Sequence, residues 1–182
     1  ANPGDGGGPA EVTVGVITSR SGAAQAAGAS QALAASAWAE RLAQAGGVYG
    51  VDVHVDIEDD GGVPANAVSI ARDFAGQDVH VIVCCTTAAA SRAVARVAEE
   101  AGMLMLAPTE LSSLGAESSP SYWSFALWPD DTDALSATVA AVLSNGRGSA
   151  ALMTLANEFG ERSSTVLASL LGYAGLNRTG EI

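Results

Sequence analysis

Hydrophobic residues along this chain follow two different spacings, and segments with one spacing alternate with segments with the other. The first segment, Glu11–Thr18, has valine at alternate positions, and such alternation in a β-branched run predicts a strand. The next, Ala23–Ala45, has apolar residues three and four positions apart, as in a helix with one buried face. The same change of period recurs later. Further strands are predicted at Val51–Ile57, Val79–Cys85, Met103–Leu106, Tyr122–Leu127 and Ala150–Leu155.

Glycine, proline and hydroxyl residues indicate where the helices between these strands begin and end. A serine of the turn Ser19–Gly22 is expected to cap the first helix, Pro64 suits a first helical position, and Gly102 should end the third helix. Two later helices are predicted at Asp130–Leu143 and Phe159–Tyr173. The buried helix faces are predicted to be Ala32, Ala35, Ala39 and Leu42, then Ala67, Ile70, Ala71 and Phe74, then Val94, Val97, Ala98 and Ala101.

This alternation of strands and helices predicts an α/β fold. It implies a parallel sheet with right-handed crossovers and helices on both faces. Ligands of such sheets bind beyond the carboxyl ends of the strands, where the strand order switches. The rule selects three segments as a candidate site: Thr18–Gly22, Thr86–Ala90 and Pro108–Ser113.

Charge and hydropathy exclude two classes of protein. The formal net charge is −12, and no basic patch is present of the kind that nucleic-acid binding requires. No apolar run approaches the roughly 20 residues of a membrane-spanning helix. The Gly- and Pro-rich segment 1–10 is expected to be a flexible leader.

Reactive residues offer little support for catalysis or for a metal or cofactor site. The chain has no Gly-x-Ser-x-Gly motif, no P-loop and no His/Cys cluster. Asp59 and Asp60 are expected to be solvated in a turn, and His54 and His80 to be solvated strand residues. We therefore expect no enzyme activity, no metal and no cofactor.

Two adjacent cysteines, Cys84 and Cys85, are the only ones in the chain. Free cysteine behaves as a small buried apolar residue, so we expect two small apolar residues at the end of a buried strand. A vicinal disulfide or a reactive thiol is the alternative.

Several motifs occur in an order that resembles the leucine/isoleucine/valine-binding proteins, which are type I periplasmic solute-binding proteins. The most specific stretch is the turn Gly46–Gly50 after a helix, then the strand Val51–Ile57, then the acidic turn Glu58–Asp60. The remaining stretches are Val14–Ile17 with Ser21–Gly22, Pro64–Val68, Glu99–Pro108, and Ala150–Leu155 with Asn157–Gly160. The resemblance runs from about Val12 to the end of the chain.

The resemblance implies a Rossmann-like type I periplasmic-binding-protein lobe at 11–128 and the start of an incomplete, truncated second lobe at 129–182. It implies a non-enzymatic extracytoplasmic receptor, periplasmic and in some forms lipid-anchored. Such a receptor captures an amino acid or related small polar solute in an interlobe cleft for an ABC permease. A ligand-sensing domain of a signalling receptor and a degenerate lobe that binds nothing are the alternatives.

Site residues follow from the resemblance, position by position. In the first turn, Ser21 and Gly22 match the family. In the turn after the third strand, the family's ligand-binding serine falls on Ala88, so Thr87 is expected to substitute. In the loop after the fourth strand, the family's small residue falls on Thr109, and Ser112 is expected to supply a hydroxyl. The predicted ligand-binding residues are Ser21, Gly22, Thr86, Thr87, Ala88, Ala89, Thr109 and Ser112.

Two further expectations concern these residues and the chain as a whole. Thr86 and Thr87 could equally be plain helix caps that contact no ligand. A chain with half of its cleft should bind ligand weakly, and an uncovered apolar sheet should favour self-association.

Overall fold

The computed structural model describes residues 11–77, 79–109, 122–128, 131–154, 156 and 158–181. The chain divides between Trp128 and Pro129 into two compact units. The sequence-based boundary is at the same position, and the assignment of the two units to two lobes stays a prediction. The predicted leader 1–10, the loop 110–121 and Ser112 lie outside the described residues. In the described ranges, no helix combines the length and the apolar character that crossing a membrane requires.

The first unit is a five-stranded sheet in which every pair of neighbours is parallel, as predicted. The strand order is β2-β1-β3-β4-β5. Its strands are β1 (Glu11–Thr18), β2 (Asp52–Asp59), β3 (Val79–Cys84), β4 (Leu104–Ala107) and β5 (Ser124–Ala126). Its helices are α1 (Gln25–Ala45), α2 (Pro64–Ala75) and α3 (Ala88–Ala101).

The hydrophobic core lies between one face of this sheet and the helices α2 and α3. Successive side chains of a strand point to opposite faces, so Ile17, Ile82 and Met105 share the face that packs on these helices. Phe74 of α2 lies against Gly15, where a Cβ atom would meet its ring at 2.5 Å. A larger residue than glycine at position 15 would therefore separate α2 from β1.

The opposite face carries α1 and is only partly covered. Valine and leucine side chains of β1, β3 and β4 border an apolar cleft of about 480 Å³ beside α1. They are Val14, Val16, Val81, Val83, Leu104 and Leu106. Helices on both faces are confirmed, but the predicted apolar face of α1 is only half-buried, and Gly28 is the fully buried residue of that helix.

Local differences from the sequence-based predictions occur at helix and strand ends. The first helix begins at Gln25, and Ala24 precedes it without a side-chain cap, so the predicted serine cap is wrong. Ala101 is exposed, because it is the last residue of α3 before the left-handed Gly102. Cys84 and Cys85 are buried as expected, and their sulfur atoms are adjacent across a cis peptide bond, which is the arrangement of the vicinal pair that the sequence gives as the alternative.

The second unit is a smaller layer of two helices and two strands. Its elements are α4 (Asp131–Ser144), β6 (Ser149–Leu152), α5 (Glu158–Tyr173) and β7 (Asn177–Glu181). β6 and β7 pair in parallel, and Val139, Leu152, Leu171 and Leu176 form its core. It is therefore a strand-helix-strand unit with its own hydrophobic cluster.

Candidate functional site

The candidate site lies at the carboxyl ends of β1, β3 and β4. From β1 the sheet continues to β2 on one side and to β3 on the other. The strand order therefore switches between β1 and β3, which is where open α/β sheets bind ligands. The loops after Thr18, Cys84 and Ala107 all leave the sheet at this edge.

Side chains join β1 to β3 beyond the last backbone pair of the two strands, Ile17 with Cys84. The N–H of Ser19 donates to Thr86 Oγ1 at 2.8 Å. The hydroxyls of Thr18 and Thr86 lie 2.9 Å apart. Gln31 Oε1 on α1 accepts from the Thr86 hydroxyl at 2.7 Å and lies 2.9 Å from Thr18 Oγ1. The single hydroxyl proton of Thr18 lies among three acceptors, which are Gln31 Oε1, Thr86 Oγ1 and the Gly28 carbonyl. A polar network thus links β1, β3 and α1 at the switch point.

Thr86 uses its full hydrogen-bonding capacity inside this network. A hydroxyl has one proton to donate and two lone pairs to accept with. Here the proton goes to Gln31, one lone pair takes the Ser19 N–H, and the other faces the Thr18 hydroxyl at 2.9 Å. The role of Thr86 as a ligand contact stays a prediction, and such a contact would require one of these bonds to break.

Thr87 caps α3, which is one of the two roles that the sequence predicts for it. Its backbone is extended (φ −114°, ψ 144°), and its hydroxyl oxygen accepts from the Ala90 N–H at 3.3 Å. Ala88 and Ala89 are the first two helical residues, whose N–H groups have no acceptor within a helix. Both are partly exposed. This end of α3 therefore offers two amide hydrogens, a spare hydroxyl proton and the positive end of the helix dipole.

Thr109 approaches the same end of α3 from β4. Its hydroxyl donates to Ser91 Oγ at 2.7 Å, and Ser91 Oγ also accepts from the Cys85 N–H at 2.9 Å. Ser91 is fully buried. The loops after β3 and β4 are therefore joined through one buried hydroxyl, which brings Thr87 and Thr109 to one region.

Ser21 and Gly22 lie on the other side of β1, at the junction with the loop after β2. Asp59 Oδ1 accepts from the N–H groups of Gly61 (2.9 Å), Arg20 (2.8 Å) and Ser21 (3.3 Å). The Gly61 bond, with help from the Ser21 side chain, lowers the pKa of Asp59 from its ordinary value of 3.8. The N–H of Ser21 is thus already bonded. Its role and that of Gly22 at the ligand site stay predictions.

Asp60 corrects a sequence-based expectation, because it is buried and not solvated. Its Oδ1 accepts from the Ser19 hydroxyl at 2.7 Å and from the Gly62 N–H at 2.8 Å. Its Oδ2 is buried without a hydrogen bond to any described residue. Asp60 therefore holds the turn after β1 through the Ser19 hydroxyl, while Asp59 holds the same turn through the N–H groups of Arg20 and Ser21.

Sequence analysis missed Gln31, Ser91 and Gly28. For Gln31, the sequence offered one signal, because this glutamine lies four residues before Ala35 on the half-buried face of α1. No three His, Cys, Asp or Glu side chains gather to hold a metal ion anywhere in the described ranges.

Comparison with known proteins identifies the family. A family model described as periplasmic binding protein matches residues 11–182. The chain belongs to the periplasmic binding protein family. One curated relative is Leu/Ile/Val-binding protein homolog 3 of Brucella melitensis, 32% identical over 112 residues that make up 59% of this chain and 30% of the relative. Another is Leu/Ile/Val-binding protein BraC3 of Rhizobium johnstonii, 30% identical over 100 residues, with 55% and 27% covered.

Solved structures of similar fold support the same assignment. A substrate-binding periplasmic protein from Ralstonia solanacearum superposes with a TM-score of 0.82 at 19% identity, over 94% of this chain and 48% of that one. An ABC transporter substrate-binding protein from Desulfitobacterium hafniense, in complex with Leu, has a TM-score of 0.76 at 17% identity, with 94% and 50% covered. These likenesses show the fold of a periplasmic binding protein lobe. The chain spans about half the length of these structures.

Proposed function

We propose that this periplasmic binding protein is the extracytoplasmic solute-binding component of an ABC transporter and captures an amino acid or a related small carboxylate. The observation that carries the proposal is the exposed start of α3 at the switch point. There the N–H groups of Ala88 and Ala89 and the hydroxyl of Thr87 can all donate to one anionic group. The curated relatives are named for leucine, isoleucine and valine, which fits a ligand with a carboxylate.

The donors on this lobe suit a carboxylate better than a cation. Amide hydrogens and the positive end of a helix stabilise negative charge, and hydrogen bonds to a charged group contribute about 1.5–3 kcal/mol each. In our proposal, Thr109, which is bonded to Ser91 of α3, lies beside the same ligand. The bound solute is then delivered to an ABC permease, from a periplasmic or lipid-anchored protein.

The direct test removes one amide hydrogen without disturbing α3. Ala88→Pro lacks the N–H at the first helical position, where proline is tolerated, and the extended Thr87 before it suits a pre-proline residue. The matched control is Ala88→Ser, which keeps the N–H. Both are made in the protein at its natural length, and calorimetry measures binding of L-leucine and a panel of amino acids and small carboxylates.

We expect wild type to bind at least one of these solutes, Ala88→Ser to retain binding and Ala88→Pro to weaken it about tenfold or more. Equal affinity in the two variants would contradict the placement of the carboxylate at α3. Absence of binding across the panel by wild type would contradict the proposed function itself.

The apolar cleft beside α1 supports a proposal about the 182-residue chain. Val81, Val83, Leu104 and Leu106 leave part of the sheet face open to solvent. Contiguous exposed apolar surface of this kind promotes association. We propose that the 182-residue chain self-associates through this cleft.

A further inference from the structure

We propose that Gln31 is the positioning residue of the ligand site, holding the turn Thr86–Thr87 so that α3 begins at a fixed place. The inference rests on the proposed function only in assigning that turn to ligand binding. The positional effect of Gln31 follows from hydrogen bonds between described residues.

Gln31 is placed to connect three elements with one atom. Its Oε1 accepts from Thr86 after β3 at 2.7 Å and lies 2.9 Å from the hydroxyl of Thr18 on β1, while its own backbone belongs to α1. It is half-buried, so its bonds are partly shielded from water. The carbonyl of Gly28, one turn earlier in α1, accepts from Thr18 at 3.1 Å. Helix α1 therefore contacts β1 through the Thr18 hydroxyl, whose one proton lies between the Gly28 carbonyl and Gln31 Oε1, and it is bonded to the β3 loop through Gln31.

The backbone pairing of β1 with β3 ends at Ile17 and Cys84. Beyond these residues, the contacts between the turn after β1 and the loop after β3 involve side chains. The carbonyl of Thr18 accepts from Arg20 and Asp60, so it is turned toward the β2 loop. The Thr18 and Thr86 hydroxyls are in contact, and the Ser19 N–H bond to Thr86 Oγ1 joins the backbone that follows β1 to the β3 loop. That bond needs a lone pair of Thr86 aimed at Ser19, and the proton of Thr86 must then point elsewhere. Gln31 Oε1 is the acceptor that takes this proton.

Thr86 is followed directly by the residue that caps α3. If Gln31 fixes the rotamer of Thr86, it also limits how far Thr87 and the N–H groups of Ala88 and Ala89 can move. Gln31 does not itself need to touch the ligand. Its effect on binding is transmitted through Thr86, which makes it a positioning residue.

The test measures amide hydrogen exchange in the 182-residue chain, so it needs no ligand. Gln31→Leu keeps the size of the side chain and removes the acceptor, while Gln31→Glu keeps oxygen atoms that can accept both hydroxyls. The matched control is Gln44→Leu, an exposed glutamine near the end of the same helix. The reporting amides are those of Ser19 and Ala90, which bond to Thr86 and Thr87.

We expect Gln31→Leu to speed exchange at Ser19 and Ala90 by about threefold to tenfold, the loss typical of one or two net hydrogen bonds. The amides of β1 and β2 should change much less, Gln31→Glu should restore slow exchange, and Gln44→Leu should have no effect. Unchanged exchange at the two reporting amides would overturn the inference. So would an equal increase at all sheet amides, which indicates global destabilisation.

A second variant covers the case in which Gln31→Leu does not fold. Thr86→Val removes the hydroxyl from the other end of the same bond and should speed exchange at Ser19 and Ala90 alike. If L-leucine binds the protein at its natural length, Gln31→Leu should also weaken it severalfold and Gln31→Glu should not. If wild type does not bind, hydrogen exchange at Ser19 and Ala90 still decides whether Gln31 holds the turn, so the two proposals fail separately.

Discussion

Gly28 of α1 lies directly against the backbone carbonyl of Ser19, so closely that a Cβ atom on Gly28 would overlap that carbonyl oxygen. This close approach allows the Thr18 hydroxyl to donate to the Gly28 carbonyl at 3.1 Å. It also brings Gln31, one turn later, within reach of Thr18 and Thr86. The absent side chain at position 28 is therefore a condition for the network at the site.

Gly28→Ala should destabilise the protein even though alanine is the better helix former. The gain in helix propensity is about 1 kcal/mol, whereas overpacking costs about 1–3 kcal/mol. The obstacle here is backbone that cannot move aside, so we expect a net loss of about 1–2 kcal/mol in urea unfolding. Gly172→Ala is the control, since position 172 is helical with open space around it. It should be neutral or slightly stabilising, and an equal loss in both variants would contradict this account.

Removal of the Thr87 hydroxyl should weaken the start of α3. Thr87→Val keeps the shape but leaves the Ala90 N–H without its acceptor, and loss of such a cap costs about 1 kcal/mol. Urea denaturation should show this loss, and Thr87→Ser should recover most of it. As a control, Thr138→Val removes a hydroxyl that bonds only back along an exposed helix to Ala134, and it should change stability little. Identical stability of Thr87→Val and wild type would show that the cap contributes nothing.

Asp59 should make stability depend on pH in the acid range. Its folded-state pKa is lowered, chiefly by the Gly61 N–H, so its contribution is present above pH 3.8 and is lost as pH falls through the folded value. Asp59→Asn should therefore be less stable than wild type at pH 6, and the difference should shrink below pH 3.8. Urea midpoints measured across this range test it. Asp52→Asn, at the exposed start of β2, is the control for removing a carboxylate. A difference that stays constant with pH would count against Asp59.

The sequence predicts the sheet well because strand periodicity is a local signal. The run Glu11–Thr18 has the predicted bounds, and the apolar run at β3 is central in the sheet as predicted, although its Val81 and Val83 border the face that α1 only partly covers. The sequence predicts that β3 ends at Cys85, and in the structure it ends one residue earlier, at Cys84. The parallel order of β1 to β4 follows because a helix connects each of these strands to the next.

The site was less predictable because its bonds join residues far apart in the sequence. Gln31, Thr18 and Thr86 meet only after three elements pack together, so no spacing in the sequence predicts the network. Asp59 and Asp60 look alike in the sequence, but they end up in opposite environments. Asp60 points under the turn toward Ser19, whereas Asp59 accepts from the loop amides. Tertiary packing, and not local chemistry, decides which carboxylate is buried.

Self-association of the 182-residue chain should depend on the cleft beside α1. Leu106 borders this cleft and is half-buried, whereas Leu33 is 72% exposed on α1 and does not border it. A charge inside the cleft would have to be desolvated when another copy covers it, so Leu106→Glu should oppose association. Leu33→Glu adds the same charge to the same unit and should leave association unchanged.

Sedimentation velocity at several concentrations measures the outcome. Wild type and Leu33→Glu should sediment as oligomers at high concentration, and Leu106→Glu should remain monomeric at the same concentrations. Circular dichroism must show that Leu106→Glu is folded, because an unfolded variant would also change its sedimentation. A monomeric wild type would mean that the cleft does not drive association. Equal association of all three would place the contact on another surface, since a buried glutamate in the cleft could not be tolerated without loss of affinity.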